Sequence, residues 1–127
     1  MSDNPRKTVL VVDDTEDIAE LVATLLQMTG CNAVTARDGM EAVSAAVEYK
    51  PDLILMDIRM PVMDGFEASR QILSIPELSA TPIIAVSAHC YGDWLQKALD
   101  AGCISCIPKP VNPAGLQAIV TDFLGEC

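Results

Sequence analysis

Apolar residues fall in short blocks along the chain, and the spacing inside the blocks switches repeatedly between two kinds. Thr8 to Val12 (TVLVV) is an unbroken, β-branched run that stops at Asp13 and Asp14, the pattern of a strand buried on both faces. From Thr15 the spacing becomes helical, with Ile18, Leu21, Val22, Leu25 and Leu26 on one face and Gly30 as a stop. The alternation then recurs. Asn32 to Ala36 reads as a weaker strand, and Gly39 to Tyr49 as a helix closed by Pro51. Leu53 to Met56 is a strand ended by Asp57; Pro61 and the Asp64-Gly65 pair are turn signals before a helix from Phe66 to Ile75. Pro82 to Val86 is a strand ending at Ser87, Trp94 to Ala101 a helix stopped by Gly102, and Ile104 to Ile107 a fifth strand. Pro108 removes a ladder donor there, which predicts an edge position or a bend, and Asn112 can cap a last helix to Leu124.

Strand-helix pairs at this spacing require parallel strands joined by helical crossovers, so the predicted fold is α/β: a doubly wound, five-stranded parallel sheet with five helices, of the flavodoxin-like kind. With 127 residues, against a prior of roughly 150 residues per domain, the chain has room for only one domain. We expect a polar extension at residues 1–7, the domain at 8–124, a tail at 125–127 and no output domain.

Half of the residues are hydrophobic, enough for a packed core. Lys and Arg number 8 against 18 Asp and Glu, a net charge of −10 that repels nucleic-acid phosphates, so no direct DNA or RNA binding is expected. The polar start and the short run after it fit neither a signal peptide nor a membrane span, which predicts a cytoplasmic protein. Five cysteines (Cys31, Cys90, Cys103, Cys106, Cys127) are an odd count, and reduced thiols are the default expectation.

Ligands of open parallel α/β sheets bind beyond the carboxyl ends of the strands, where the winding reverses. The residues delivered there are Asp13 and Asp14, Asp57, Ser87 and Lys109: three acids, a hydroxyl and an ammonium. Crowded carboxylates raise one another's pKa, and a hard divalent cation relieves the repulsion, so Mg²⁺ is the natural candidate. An aspartate beside the ion can act as a nucleophile that forms an acyl phosphate, with Ser87 and Lys109 binding phosphoryl oxygens. Taken singly these residues have plainer readings: Asp14 or Thr15 as a helix cap, Ser87 as a turn hydroxyl, Lys109 as a surface charge.

Together, VLVVDDTED, LILMDIRMPVMDGFE, IIAVSAH and the Lys109-Pro110 pair resemble the receiver domain of two-component response regulators, over essentially the whole chain and in its stand-alone, chemotaxis-receiver-like form. The resemblance implies that Asp57 accepts a phosphoryl group from a histidine kinase or a histidine phosphotransfer protein. Asp13, Asp14, Asp57 and the backbone carbonyl of Arg59 would hold Mg²⁺. Ser87 would be the switch hydroxyl, and Lys109, before a cis Pro110, the phosphate-binding ammonium. Arg59 and His89 occupy positions that tune dephosphorylation. Such a protein is a phosphoacceptor and not an enzyme, beyond catalysing its own phosphorylation and dephosphorylation.

One departure stands out. The family's usual Tyr or Phe three residues before the lysine is replaced by Cys106, which puts the usual coupling from Ser87 to the outer face in doubt. Tyr91, Trp94 and Leu95 read as core packing plus a partner face. By resemblance the fourth helix, fifth strand and last helix form the surface for partners or a homodimer, while Ile18, Leu21 and Val22 form the kinase dock. Met56 reads as core, Met60 and Met63 as loop packing. The downstream protein is unknown.

Two other classes compete with this reading. Cys103-x-x-Cys106 near His89 and Cys90 invites a zinc or redox module; a degenerate receiver that signals by contact alone is the other alternative, and retention of Asp13, Asp14, Asp57, Ser87 and Lys109 argues against it. An aspartyl phosphatase would want a second Asp where Arg59 stands.

Overall fold

The structure, a computed structural model, describes residues 7–59, 63–109 and 111–125. Its strands are β1 (Thr8–Val12), β2 (Asn32–Ala36), β3 (Leu53–Asp57), β4 (Ile83–Ser87) and β5 (Ser105–Pro108). The helices are α1 (Glu16–Met28), α2 (Gly39–Tyr49), α3 (Gly65–Leu73), α4 (Gly92–Asp100) and α5 (Pro113–Leu124). All strands are parallel, in the order β2-β1-β3-β4-β5. That is the doubly wound sheet expected from the alternation.

The pleat explains why the central strands are apolar throughout. Val9, Val11, Leu53, Leu55, Ile84 and Val86 face the core made with α1 and α5; Leu10, Val12, Ile54, Met56, Ile83 and Ala85 face the core made with α2, α3 and α4. The outer strands β2 and β5 are only partly buried, as the weaker Asn32–Ala36 pattern and Pro108 had suggested.

Several boundaries differ by one or two residues. The third helix stops at Leu73, short of Ile75: Pro76 forces Ile75 to extended backbone, and a single 3₁₀ turn (Pro76–Leu78) follows that the sequence reading did not foresee. The fourth helix starts at Gly92 instead of Trp94, behind an extended Tyr91. β5 begins at Ser105, one residue later than expected, and runs through Pro108. Asn112 caps α5 as anticipated, its side chain accepting from the Gly115 N–H at 2.6 Å. At the first helix, by contrast, Thr15 is the N-cap residue but its hydroxyl makes no cap.

The cysteine expectation is corrected as well. Cys90 and Cys106 are joined by a disulfide, their Cα atoms 5.5 Å apart. The loop after β4 passes directly over the partly buried fifth strand, so two residues 16 apart in sequence are neighbours. Cys103 is a free, buried thiol within 3.6 Å of the Ser69 hydroxyl. The Cys103-x-x-Cys106 pair is therefore not assembled as a zinc or redox unit. Cys127, Met60, Pro61 and the Lys109-Pro110 bond lie outside the described residues.

Candidate functional site

The winding reverses between β1 and β3, and the carboxyl ends of those neighbours deliver the acids. Asp13 follows β1, and its backbone N–H is held by the Ala36 carbonyl at 3.0 Å. Its Oδ1 accepts the Thr15 N–H at 2.9 Å, while the Thr15 carbonyl, not its hydroxyl, accepts the Ile18 N–H at 3.1 Å and the Ala19 N–H at 3.0 Å at the head of α1. Asp57 is the last residue of β3 and is 1% exposed; Asp13 is 5% exposed and Asp14 is exposed. Carboxylate oxygens of Asp13, Asp14 and Asp57 lie within 4.8 Å of one another, the only such metal-ligating group among the described residues.

Lys109 enters from the far side of the sheet edge. Ser87 pairs in register with Pro108, and, as in the parallel ladder elsewhere, its carbonyl accepts from the following residue, the Lys109 N–H, at 2.9 Å. That bond fixes the Lys109 backbone beside Ser87. From there Nζ stands 3.1 Å from Asp57 Oδ2 and 3.6 Å from Asp13 Oδ2. Ser87 is 3% exposed, and its Oγ accepts the His89 N–H at 3.1 Å.

Electrostatics at Asp57 are a contest. Burial pushes its carboxyl above the usual carboxylate range, Lys109 opposes that, Asp13 adds to it, and the Arg59 N–H on Oδ1 at 3.2 Å opposes it again; the net direction is upward. Oδ2 is close to Lys109 Nζ as an ion pair, yet no donor meets that buried oxygen in hydrogen-bond geometry. Three oxygen donors converging beside a buried, unsatisfied carboxylate oxygen suit a hard cation such as Mg²⁺, and one lysine cannot neutralise three acids.

Around this pit lie two features. A groove of about 350 Å³ between α1 and the segment after β5 is lined by Ile18, Leu21, Val22, Lys109 and Val111, with Ile18 and Leu21 44% and 58% exposed. On the other side Trp94 stacks on Phe66 (5.8 Å) and His89 (6.3 Å) under Lys97, while Tyr91 is exposed and Leu95 half-buried. Met56 is core and Met63 packs against it.

The sequence reading missed Gly65. A Cβ there would run into the Asp57 carbonyl oxygen and sit 2.8 Å from Ile58 Cα, because the Gly65 N–H bonds the Ile58 carbonyl at 3.0 Å. The Asp64-Gly65 pair was read as a turn, whereas Gly65 opens α3 and lets the helix press on the backbone of the acid. Cys90, noticed only as a neighbour, is the partner of Cys106.

A family model for the response regulator receiver domain matches residues 9–121. The polar-differentiation response regulator DivK of Brucella anthropi is 32% identical over 120 residues, covering 94% of this chain and 98% of that protein. The chemotaxis protein CheY4 of Vibrio cholerae superposes with a TM-score of 0.90 at 31% identity, over 94% of this chain and 99% of that one. The receiver domain of a Pseudomonas aeruginosa sensor histidine kinase, solved with a magnesium ion coordinated in its active-site cleft, gives a TM-score of 0.86 at 31% identity, over 96% and 100%.

Proposed function

The chain belongs to the response regulator receiver domain family, and from that premise we propose that it is a Mg²⁺-dependent phosphoacceptor in two-component or phosphorelay signalling, with Asp57 as the accepting residue. The observation that carries the reading is the buried Asp57 Oδ2, which has an ammonium 3.1 Å away and two further carboxylates beside it, but no hydrogen-bond donor of its own.

Asp57 attacks the phosphorus of a phosphohistidine; an O–P bond forms, the N–P bond breaks, and the electron pair leaves with the imidazole. Asp13, Asp14, Asp57 and the Arg59 carbonyl would hold Mg²⁺, which would supply charge neutralisation for an incoming anionic phosphoryl group. Lys109 binds one phosphoryl oxygen as a point charge, and Ser87 turns its hydroxyl from the His89 N–H to another. Arg59 and His89 flank the phosphoryl position and set how water reaches it.

The donor is a histidine kinase or histidine phosphotransfer protein, which docks on the apolar groove of Ile18, Leu21 and Val22 beside Lys109. The signal leaves through the α4, β5 and α5 face, including Tyr91, Trp94 and Leu95, to a separate protein or a second copy, and the 8–124 unit acts in the cytoplasm without nucleic-acid contact. No described helix is long and apolar enough to cross a membrane.

Intact-protein mass after incubation with acetyl phosphate tests the reading. The expected result is a single phosphoryl gain that needs Mg²⁺ and disappears in Asp57→Asn; no gain from any donor overturns it.

A further inference from the structure

We propose that Cys90 and Cys106 are a redox gate on the receiver switch: their disulfide holds the loop after β4 in place, and its reduction releases that loop to respond to phosphorylation. The inference rests on the phosphoacceptor reading above.

The position of the bond carries the argument. Cys90 lies three residues beyond Ser87, and its Sγ is 3.7 Å from the Ser87 carbonyl oxygen, the same oxygen that accepts the Lys109 N–H at 2.9 Å. Cys106 lies on β5, opposite Ala85, three residues before Lys109. One covalent link therefore ties the backbone that presents Ser87, the start of α4, and the strand that presents Lys109. The Ser87 Oγ is now engaged by the His89 N–H at 3.1 Å, inside the tethered loop. Turning it toward Asp57 means moving residues that the bond anchors to the sheet.

Access separates this pair from the third cysteine nearby. Cys90 and Cys106 are both partly exposed, within reach of an attacking thiolate, whereas Cys103 is 3% exposed and burial pushes its thiol up. Reduction by a dithiol balances simply. One thiolate of the reductant attacks a sulfur of the bond and forms a mixed disulfide. Its second thiol then displaces that link, so the reductant leaves as a disulfide and two electrons and two protons remain on Cys90 and Cys106 as thiols. A low-molecular-weight disulfide such as oxidised glutathione reverses the exchange.

The only tryptophan, Trp94, sits between the two cysteines in sequence and stacks on His89, so its fluorescence reads this loop. The full chain, prepared oxidised with oxidised glutathione or reduced with dithiothreitol, is titrated with acetyl phosphate and Mg²⁺ while Trp94 emission and phosphoryl mass gain are followed. The expected result is an emission change that is at least roughly fivefold larger, or reached at roughly fivefold less donor, in the reduced protein. Cys90→Ser and, separately, Cys106→Ser should behave as reduced protein under both conditions, and peptide mapping after alkylation should find Cys90 and Cys106 labelled only after reduction. Phosphoryl gain with a Trp94 response identical in both redox states overturns the gate and leaves the phosphoacceptor reading standing. No phosphoryl gain in either state overturns both.

Discussion

Asp57 is a carboxylate placed where its ionised form is disfavoured, and that has a measurable sign. Its folded-state pKa is raised chiefly by burial, so the native chain keeps this proton to higher pH than the unfolded chain does. Stability contributed by the group is therefore greatest below the ordinary carboxylate value and is lost as pH rises through the raised one. In the presence of a chelator, Asp57→Asn should melt at higher temperature than the parent at pH 7, and the difference should shrink as pH is lowered toward 4. Thermal melts of both proteins across that range check it; a gap that widens in acid would show that Lys109 outweighs burial. Adding Mg²⁺ should stabilise the parent and act far less on the variant. The acids, the hydroxyl and the lysine were legible because each closes or follows an apolar run, so their position at the sheet edge followed from the pattern. The pairing of Cys90 with Cys106 was not, since an odd cysteine count and a loop of unknown path carry no connectivity.

Among the elements, α3 shows how a helix can constrain a strand-end acid without touching its side chain. Gly65 is needed for its missing Cβ and not for a special backbone angle, and the contact it permits is with the Asp57 and Ile58 backbone. Gly65→Ala should push α3 off the end of β3, lowering stability by about 1–3 kcal/mol, as overpacking does, and weakening Mg²⁺ binding with it. Urea unfolding and calorimetric Mg²⁺ titration measure the two effects; an alanine that leaves both intact would mean that α3 shifts freely. The strands and helices themselves were foreseeable because run length and spacing differ between them. The helix ends were less so: Pro76 ends α3 through the residue before it, and at α1 the Asp13 carboxylate accepts the Thr15 N–H while the Thr15 hydroxyl makes no cap. Both depend on which local partner reaches a backbone group first, a competition the apolar pattern does not record.

At the scale of the molecule, the sheet divides two cores, and the acid pit opens at its carboxyl edge between the α1 groove and the Trp94 cluster. Exposed Ile18 and Leu21 beside Lys109 are apolar surface that a small donor has no use for. Leu21→Asp should leave phosphorylation by acetyl phosphate unchanged while slowing transfer from a phosphorylated histidine phosphotransfer protein by roughly tenfold, the equivalent of about 1.4 kcal/mol. Rapid-quench transfer assays with both donors check this, and equal rates with the protein donor would move the dock elsewhere. The disulfide has one more effect, on how long the chain survives damage. It closes a covalent ring around α4, a helix whose one buried residue is Ala98, and such thinly packed segments are the ones that open locally and meet proteases. A cut anywhere inside that ring leaves the oxidised protein in a single piece, with β5 and α5 still attached to the rest; the same cut in the reduced protein frees the fragment that carries Lys109.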